Sequence, residues 1–192
     1  MYNIIQMDLE MKKMLKYSLS DDDIKAFFNN KVKIIKYSDL DGMTIDDLLN
    51  PYGRCVILFE IEEFNNGHWT ILMKCNTLKE GLFILFFDSY GYEPENELRY
   101  QTKDFSRVSH QDRGLLLKIL YNQNLPVHYN NYHLQKLKSG INTCGRWVCV
   151  RGIFPDLNEQ DFATIMRSGE SYDINPDILV CLIYLHLSHN GT

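Results

Sequence analysis

The apolar positions change rhythm twice along the chain. Before residue 54 they follow short polar starts: Ser20 and Asp23 precede Ile24, Phe27 and Phe28, while Thr44 and Asp47 precede Leu48 and Leu49. A cap hydroxyl with a carboxylate three residues on satisfies two of a helix's unpaired first donors, so each spacing predicts a short amphipathic helix. From Arg54 the pattern becomes apolar runs of strand length, 55–61, 68–75 and 82–88, separated by turn-rich stretches at 62–67 and 76–81. These predict a three-stranded antiparallel meander. The runs are apolar on both faces, so helices are expected on both sides of the sheet.

Helical spacing returns after residue 88. Ser109 and Asp112 precede Leu115, Leu116, Ile119 and Leu120 as a third capping box, and Asn175 with Pro176 supplies the cap and first position of a helix through Leu187. A short strand is expected within 127–132, and a helix from Cys144 through Trp147, Val148 and Arg151. The fold class is therefore α+β, with a central, mostly antiparallel sheet packed between helices. No repeat or Pro/Gly-rich linker interrupts the chain, which predicts one domain: a helical region over 1–53, a core over 54–154 and a second helical region over 155–192.

Composition narrows the function classes. A chain of 192 residues buries enough surface to need no covalent staples. Lys and Arg total 20 against 25 Asp and Glu, and the net charge of −5 argues against nucleic acid as the main ligand. The longest apolar stretches, 178–185 and 82–87, fall far short of the roughly 20 residues of a membrane span. The first ten residues lack a basic start, an apolar run and a small-residue cleavage site, so an intracellular protein is expected. Five cysteines, Cys55, Cys75, Cys144, Cys149 and Cys181, make an odd set with no CxxC pair, which speaks against a disulfide framework and a zinc ribbon.

The chemistry-bearing residues gather at one end of the predicted sheet. Partners in an antiparallel hairpin share a constant sum of residue numbers, and a turn near Leu78 or Lys79 gives a sum of about 156 or 157. His68 then faces Asp88 or Ser89, a histidine and a carboxylate at one sheet end. Cys144 stands at a predicted helix start, where the dipole and free backbone donors favour a thiolate. Gly145 lets a substrate carbonyl approach the backbone. Gln135, nine residues before Cys144, is placed to point its amide at a developing oxyanion.

In order, Gly67-His68-Trp69, Phe86-Phe87-Asp88-Ser89-Tyr90-Gly91, Gln135 and Asn142-Thr143-Cys144-Gly145-Arg146-Trp147-Val148 resemble the adenain-like and ubiquitin-like-protein-specific cysteine proteases. Within that clan the Thr-Cys-Gly-Arg-Trp-Val run is most similar to short maturation proteases of virophages, related mobile elements and large DNA viruses. The resemblance covers residues 54–154 and implies a thiol protease with Cys144 as nucleophile, His68 as general base, Asp88 as its orienter and Gln135 as oxyanion donor. It implies a capsid or other virion precursor as protein substrate, cut at small-residue sites of Gly-Gly type. A monomer is expected that acts in host cytoplasm or a viral factory or is packaged in the virion, without metal or organic cofactor. Some viral relatives take a peptide activator. The clan also contains isopeptidases that remove ubiquitin-like modifiers, and a catalytically silent peptide-binding module is the remaining alternative. The Gln-to-Cys interval is longer than is usual in the clan.

Blander roles compete at several positions. Cys55, Cys75, Cys149 and Cys181 read as core thiols. Asp88 also suits the start of a turn, and Asp21, Asp22 and Asp23 a solvated helix start. His128 and His133 are the rivals of His68, whereas His110, His186 and His189 read as structural or exposed. Trp69 and Trp147 suit either the core or a substrate groove.

Overall fold

The computed structural model describes residues 2–61 and 66–190. In chain order the helices are α1 (Tyr2–Lys16), α2 (Asp21–Phe27), α3 (Ile45–Leu49), α4 (Lys103–Val108), α5 (Leu115–Tyr121), α6 (Cys144–Ile153), α7 (Glu159–Arg167) and α8 (Pro176–Asn190). The strands are β1 (Lys33–Lys36), β2 (Arg54–Glu60), β3 (Gly67–Thr77), β4 (Gly81–Phe87) and β5 (Val127–Tyr129). They form one sheet in the order β1-β2-β3-β4-β5. Its three central strands pair antiparallel as a meander, while β1 and β5 add parallel to its edges. No described helix is long and apolar enough to cross a membrane.

Strand alternation divides the apolar side chains between two cores, as expected for a sheet covered on both faces. Val56, Leu58, Ile71, Met73, Phe83, Leu85 and Phe87 meet Trp147, Val148 and Val150 of α6, Phe162 of α7 and Val180 of α8. Cys55, Ile57, Phe59, Leu72, Ile84 and Phe86 face the other way, against Tyr37, Leu48, Leu49 and the Leu115–Leu120 side of α5.

Two of the three predicted capping boxes form. The Ser20 hydroxyl accepts from the Asp23 amide, and the Asp23 carboxylate returns the bond to Ser20 N. Thr44 and Asp47 do the same for α3. The box expected at Ser109 and Asp112 does not form. Ser109 closes α4 instead, donating to Phe105 O at 2.7 Å. Helix α5 begins later, and its free amides are met from a distance: Leu115 N donates to the Tyr37 hydroxyl at 2.8 Å and Leu117 N to Glu95 Oε1 at 3.0 Å. A buried tertiary cap has replaced a local one.

Three further differences matter. The stretch before Arg54, read as helical, also supplies β1, an edge strand with lysine at both ends that gives no clear periodic signal. The expected strand at 127–132 is cut to three residues. The β3–β4 register sums to 158, with Ile71 facing Phe87 and Thr77 facing Gly81, rather than 156 or 157. His68 is thereby in line with Tyr90, and Asp88 becomes a diagonal neighbour on the same face. Most of the turn expected at 62–67 lies outside the described residues.

Candidate active site

The hairpin end carries His68 just inside β3 and Asp88 just beyond β4. His68 Nε2 lies 3.1 Å from Asp88 Oδ1, with both side chains buried. The Asp88 main chain is held by Asn130 beyond β5, whose Oδ1 accepts from Asp88 N at 2.9 Å and whose Nδ2 donates to Asp88 O at 2.8 Å. Asp88 also begins the turn, as the bland reading expected: Tyr90 N donates to Oδ1 at 2.7 Å and Gly91 N to the carbonyl at 2.9 Å. Gly91 takes φ +75°, and a Cβ there would meet the Tyr132 backbone at 2.8 Å. One carboxylate thus serves both the turn and the imidazole.

The remaining imidazole face is used on both sides. The Tyr90 ring stacks on His68 with centroids 4.7 Å apart and planes at 22°. Cys144, the first residue of α6, lies beside the imidazole and adds to the rise of its pKa. With Nε2 on Asp88, Nδ1 is the nitrogen left for the thiol. Burial disfavours a charged His68, but the Asp88 charge and hydrogen bond, joined by Cys144, outweigh it and hold the imidazole pKa well above 6.5. Burial pushes Cys55 up to about 12, Cys75 and Cys181 to about 11, and Cys149 well above 9.0. They are inert core thiols.

Gln135 is reached through the same turn. Its amide N donates to Ser89 O at 2.9 Å, and the Ser89 hydroxyl donates to Oε1 at 2.7 Å. Those bonds fix which end of the side-chain amide faces the cleft. Nε2 donates to the Tyr90 hydroxyl at 3.0 Å, which leaves its second hydrogen for another acceptor.

Cys144 lies where two hollows meet. One, of about 430 Å³, is lined by Leu19, Ile34, Leu58 and Trp69, with Lys25 and Lys36 at its rim. The other, of about 510 Å³, is lined by His68, Tyr90, Tyr92, Tyr100, Gln135 and Ile141. Ser18, Asn66, Gly67 and Cys144 border both.

Two sequence assignments do not hold as substrate contacts. Trp147 is fully buried, packed near Phe87 and Phe162, with Nε1 donating to Asp177 at 3.2 Å. Gly145 is buried under Leu19, where a Cβ would sit 2.7 Å from that side chain's own Cβ. Its lack of a side chain makes room for Leu19, in the segment between α1 and α2. Trp69 does border the cleft, though it is only 7% exposed and donates to Leu19 O at 2.9 Å. The rival histidines stand elsewhere: His128 stacks on Phe83 between Glu80 and Glu159, and exposed His133 pairs with Tyr90 O.

One residue escaped the sequence reading altogether. Glu97 lies buried with Oε1 3.8 Å from His68 Nε2. Burial pushes its pKa up to about 7 against the pull of His68, and the Asp88 charge and hydrogen bond add to the rise. It comes from a 3-10 turn in an irregular stretch, where no periodicity marks it. His68, Asp88 and Glu97 have ligand-like spacing, as do Glu80, His128 and Glu159 nearer the surface.

The fold and site define an α+β protein with a cysteine beside a histidine that pairs with a buried carboxylate, where two hollows meet. No family model matches the chain. It is 38% identical over 176 residues to uncharacterized protein V9 of Sputnik virophage, covering 91% of this chain and 98% of that protein, and it belongs to the same family. Among solved structures, the ASFV pS273R protease aligns with a TM-score of 0.44 and 14% identity over 88% of this chain and 67% of its own.

Proposed function

We propose that this protein is a cysteine endopeptidase acting on virion precursors. The observation that carries the reading is the cluster of Cys144, His68 and Asp88, in which the thiol lies beside an imidazole whose Nε2 is 3.1 Å from a buried carboxylate. His68 takes the thiol proton, and the thiolate attacks the scissile carbonyl. The oxyanion is met by Gln135 Nε2 and the first amides of α6. Imidazolium then delivers its proton to the leaving amine, and water hydrolyses the thioester with His68 again as base. Asp88 holds the ring in one tautomer and stabilises its charge.

Room on both sides of the thiol favours cleavage within a chain over trimming of a terminus. Membership of a family with a virophage relative supports a capsid or other particle precursor as the protein substrate, and the motif resemblance supports Gly-Gly-type sites. The test is to incubate the protein with the capsid precursor of its own genome and read new termini by mass spectrometry. Cleavage after small residues that vanishes with Cys144→Ala is expected. An intact precursor, alongside hydrolysis of a ubiquitin-like conjugate, would replace this reading with a deconjugating one.

A further inference from the structure

The residue that ties the two halves of the oxyanion site together lies in neither motif. Asp177, the second residue of α8, is fully buried. Its Oδ1 accepts from the Thr143 hydroxyl at 2.6 Å and from Trp147 Nε1 at 3.2 Å. Its Oδ2 accepts from Lys136 N at 3.0 Å. The carboxylate therefore grips the residue before Cys144 and the residue after Gln135.

The bond to Thr143 has a second consequence. A threonine at a helix start ordinarily turns its oxygen back onto the amides of the first turn. Thr143 makes no such cap: its backbone is already helical, at φ −94° and ψ −1°, and its hydroxyl is turned to donate to Asp177. Among the described residues, the amides of Cys144, Gly145 and Arg146 meet no hydrogen-bond acceptor. The bond to Lys136 acts on the other donor, since it braces the chain at the start of the 136–142 loop that separates Gln135 from Cys144.

Resting on the protease reading above, we propose that Asp177 is a positioning residue that keeps the oxyanion hole uncapped and holds Gln135 in register with Cys144. It touches no reacting atom. It acts on a charge that exists only in the tetrahedral intermediate and its flanking transition states, so its loss falls on kcat rather than on KM or on thiol reactivity.

The experiment compares wild type with Asp177→Asn. The amide is isosteric, but in either orientation it presents an NH2 group to Lys136 N–H or to Trp147 Nε1–H, two donors facing each other. Three quantities are read: iodoacetamide alkylation of Cys144, which forms no oxyanion; kcat and KM per titratable thiol on a fluorogenic Gly-Gly peptide amide; and hydrogen exchange at the Lys136 amide. Alkylation within twofold of wild type, kcat lowered at least tenfold with KM within threefold, and Lys136 exchange at least tenfold faster are expected. An unchanged kcat per thiol, or equal losses of alkylation and kcat, would overturn the proposal and leave Asp177 a packing residue. A wild type that alkylates quickly but never turns over the peptide counts against the protease reading instead. The clamp is then judged on Lys136 exchange alone, and an equal rate in the variant overturns it. If Asp177→Asn does not fold, Thr143→Val decides: valine cannot hold Asp177, so kcat falls at least threefold with Cys144 alkylation within twofold, and an unchanged kcat overturns the clamp.

Discussion

Helices α3 and α6 both follow a threonine, and the two threonines do opposite things. Thr44 accepts from the Asp47 amide at 3.2 Å and receives the Asp47 carboxylate on its own amide at 2.8 Å, closing the start of α3 on itself. Thr143 gives its hydroxyl to Asp177, 34 residues away, and leaves the start of α6 open. A closed start satisfies donors locally and adds stability. An open start in a buried setting keeps unmet donors at the cleft, where a developing negative charge can use them. Substitutions around Thr44 should register in stability, and those around Thr143 and Cys144 in rate.

The sharpest separation comes from Cys144→Ala, which removes the nucleophile. Peptide hydrolysis should fall to the uncatalysed level while the melting temperature stays within roughly 4 °C of wild type, since only one small buried atom is lost. Retained hydrolysis would dissolve the contrast between the two helix starts. Next, His68→Ala withdraws the base. Cys144 alkylation at pH 6 and kcat/KM should both fall by about 10² to 10⁴, the usual range for a positioned general base. Equal alkylation profiles in the two proteins would mean that no imidazole activates the thiol.

Glu97 places a stability effect inside the reactive region and so tests how cleanly the two regions divide. Its pKa is about 7 in the fold against 4.5 ordinarily. Between those values the folded protein keeps a proton that the unfolded chain has released, so stability falls as pH rises through that window, by about 3 kcal/mol in all. Glu97→Gln removes the titration. Denaturant melts should show the variant more stable than wild type at pH 8 and equal to it near pH 4, and a constant difference across that range would refute the assignment. The smallest effect is expected from Thr44→Ala: about 1 kcal/mol lost, or roughly 2 to 4 °C in melting temperature, with kcat within twofold.

The legible parts of the fold were those governed by near neighbours. Ser20 with Asp23 and Thr44 with Asp47 sit three residues apart, so their capping boxes can be read from the sequence. The meander is marked by three apolar runs and short turns. The order of His68, Asp88, Gln135 and Cys144 points to chemistry because His68 and Asp88 stand at strand ends and Cys144 at a helix start.

Where a remote partner settled the outcome, the sequence was silent or misleading. Ser109 has the spacing of a cap, yet α5 starts at Leu115 because the Tyr37 hydroxyl and Glu95 carboxylate meet its amides there. Trp147 and Gly145 stand close to the nucleophile in sequence, but Trp147 enters the core near Phe87 and Phe162 and Gly145 packs beneath Leu19. Glu97 and Asp177 carry no motif, since a buried carboxylate is defined by what surrounds it after folding.

The sequence by itself determined the α+β class and the sheet's central meander, and it singled out Cys144, His68 and Asp88 as candidates. Local propensity and hydrophobic periodicity act over a few residues and are written directly in the chain. Only the tertiary structure decided the register that stacks Tyr90 on His68, the entry of Glu97 behind the imidazole, and the diversion of Thr143 by Asp177. Those depend on desolvated polar groups finding partners tens of residues away, and the need to satisfy them once buried selects one arrangement among many with the same local pattern.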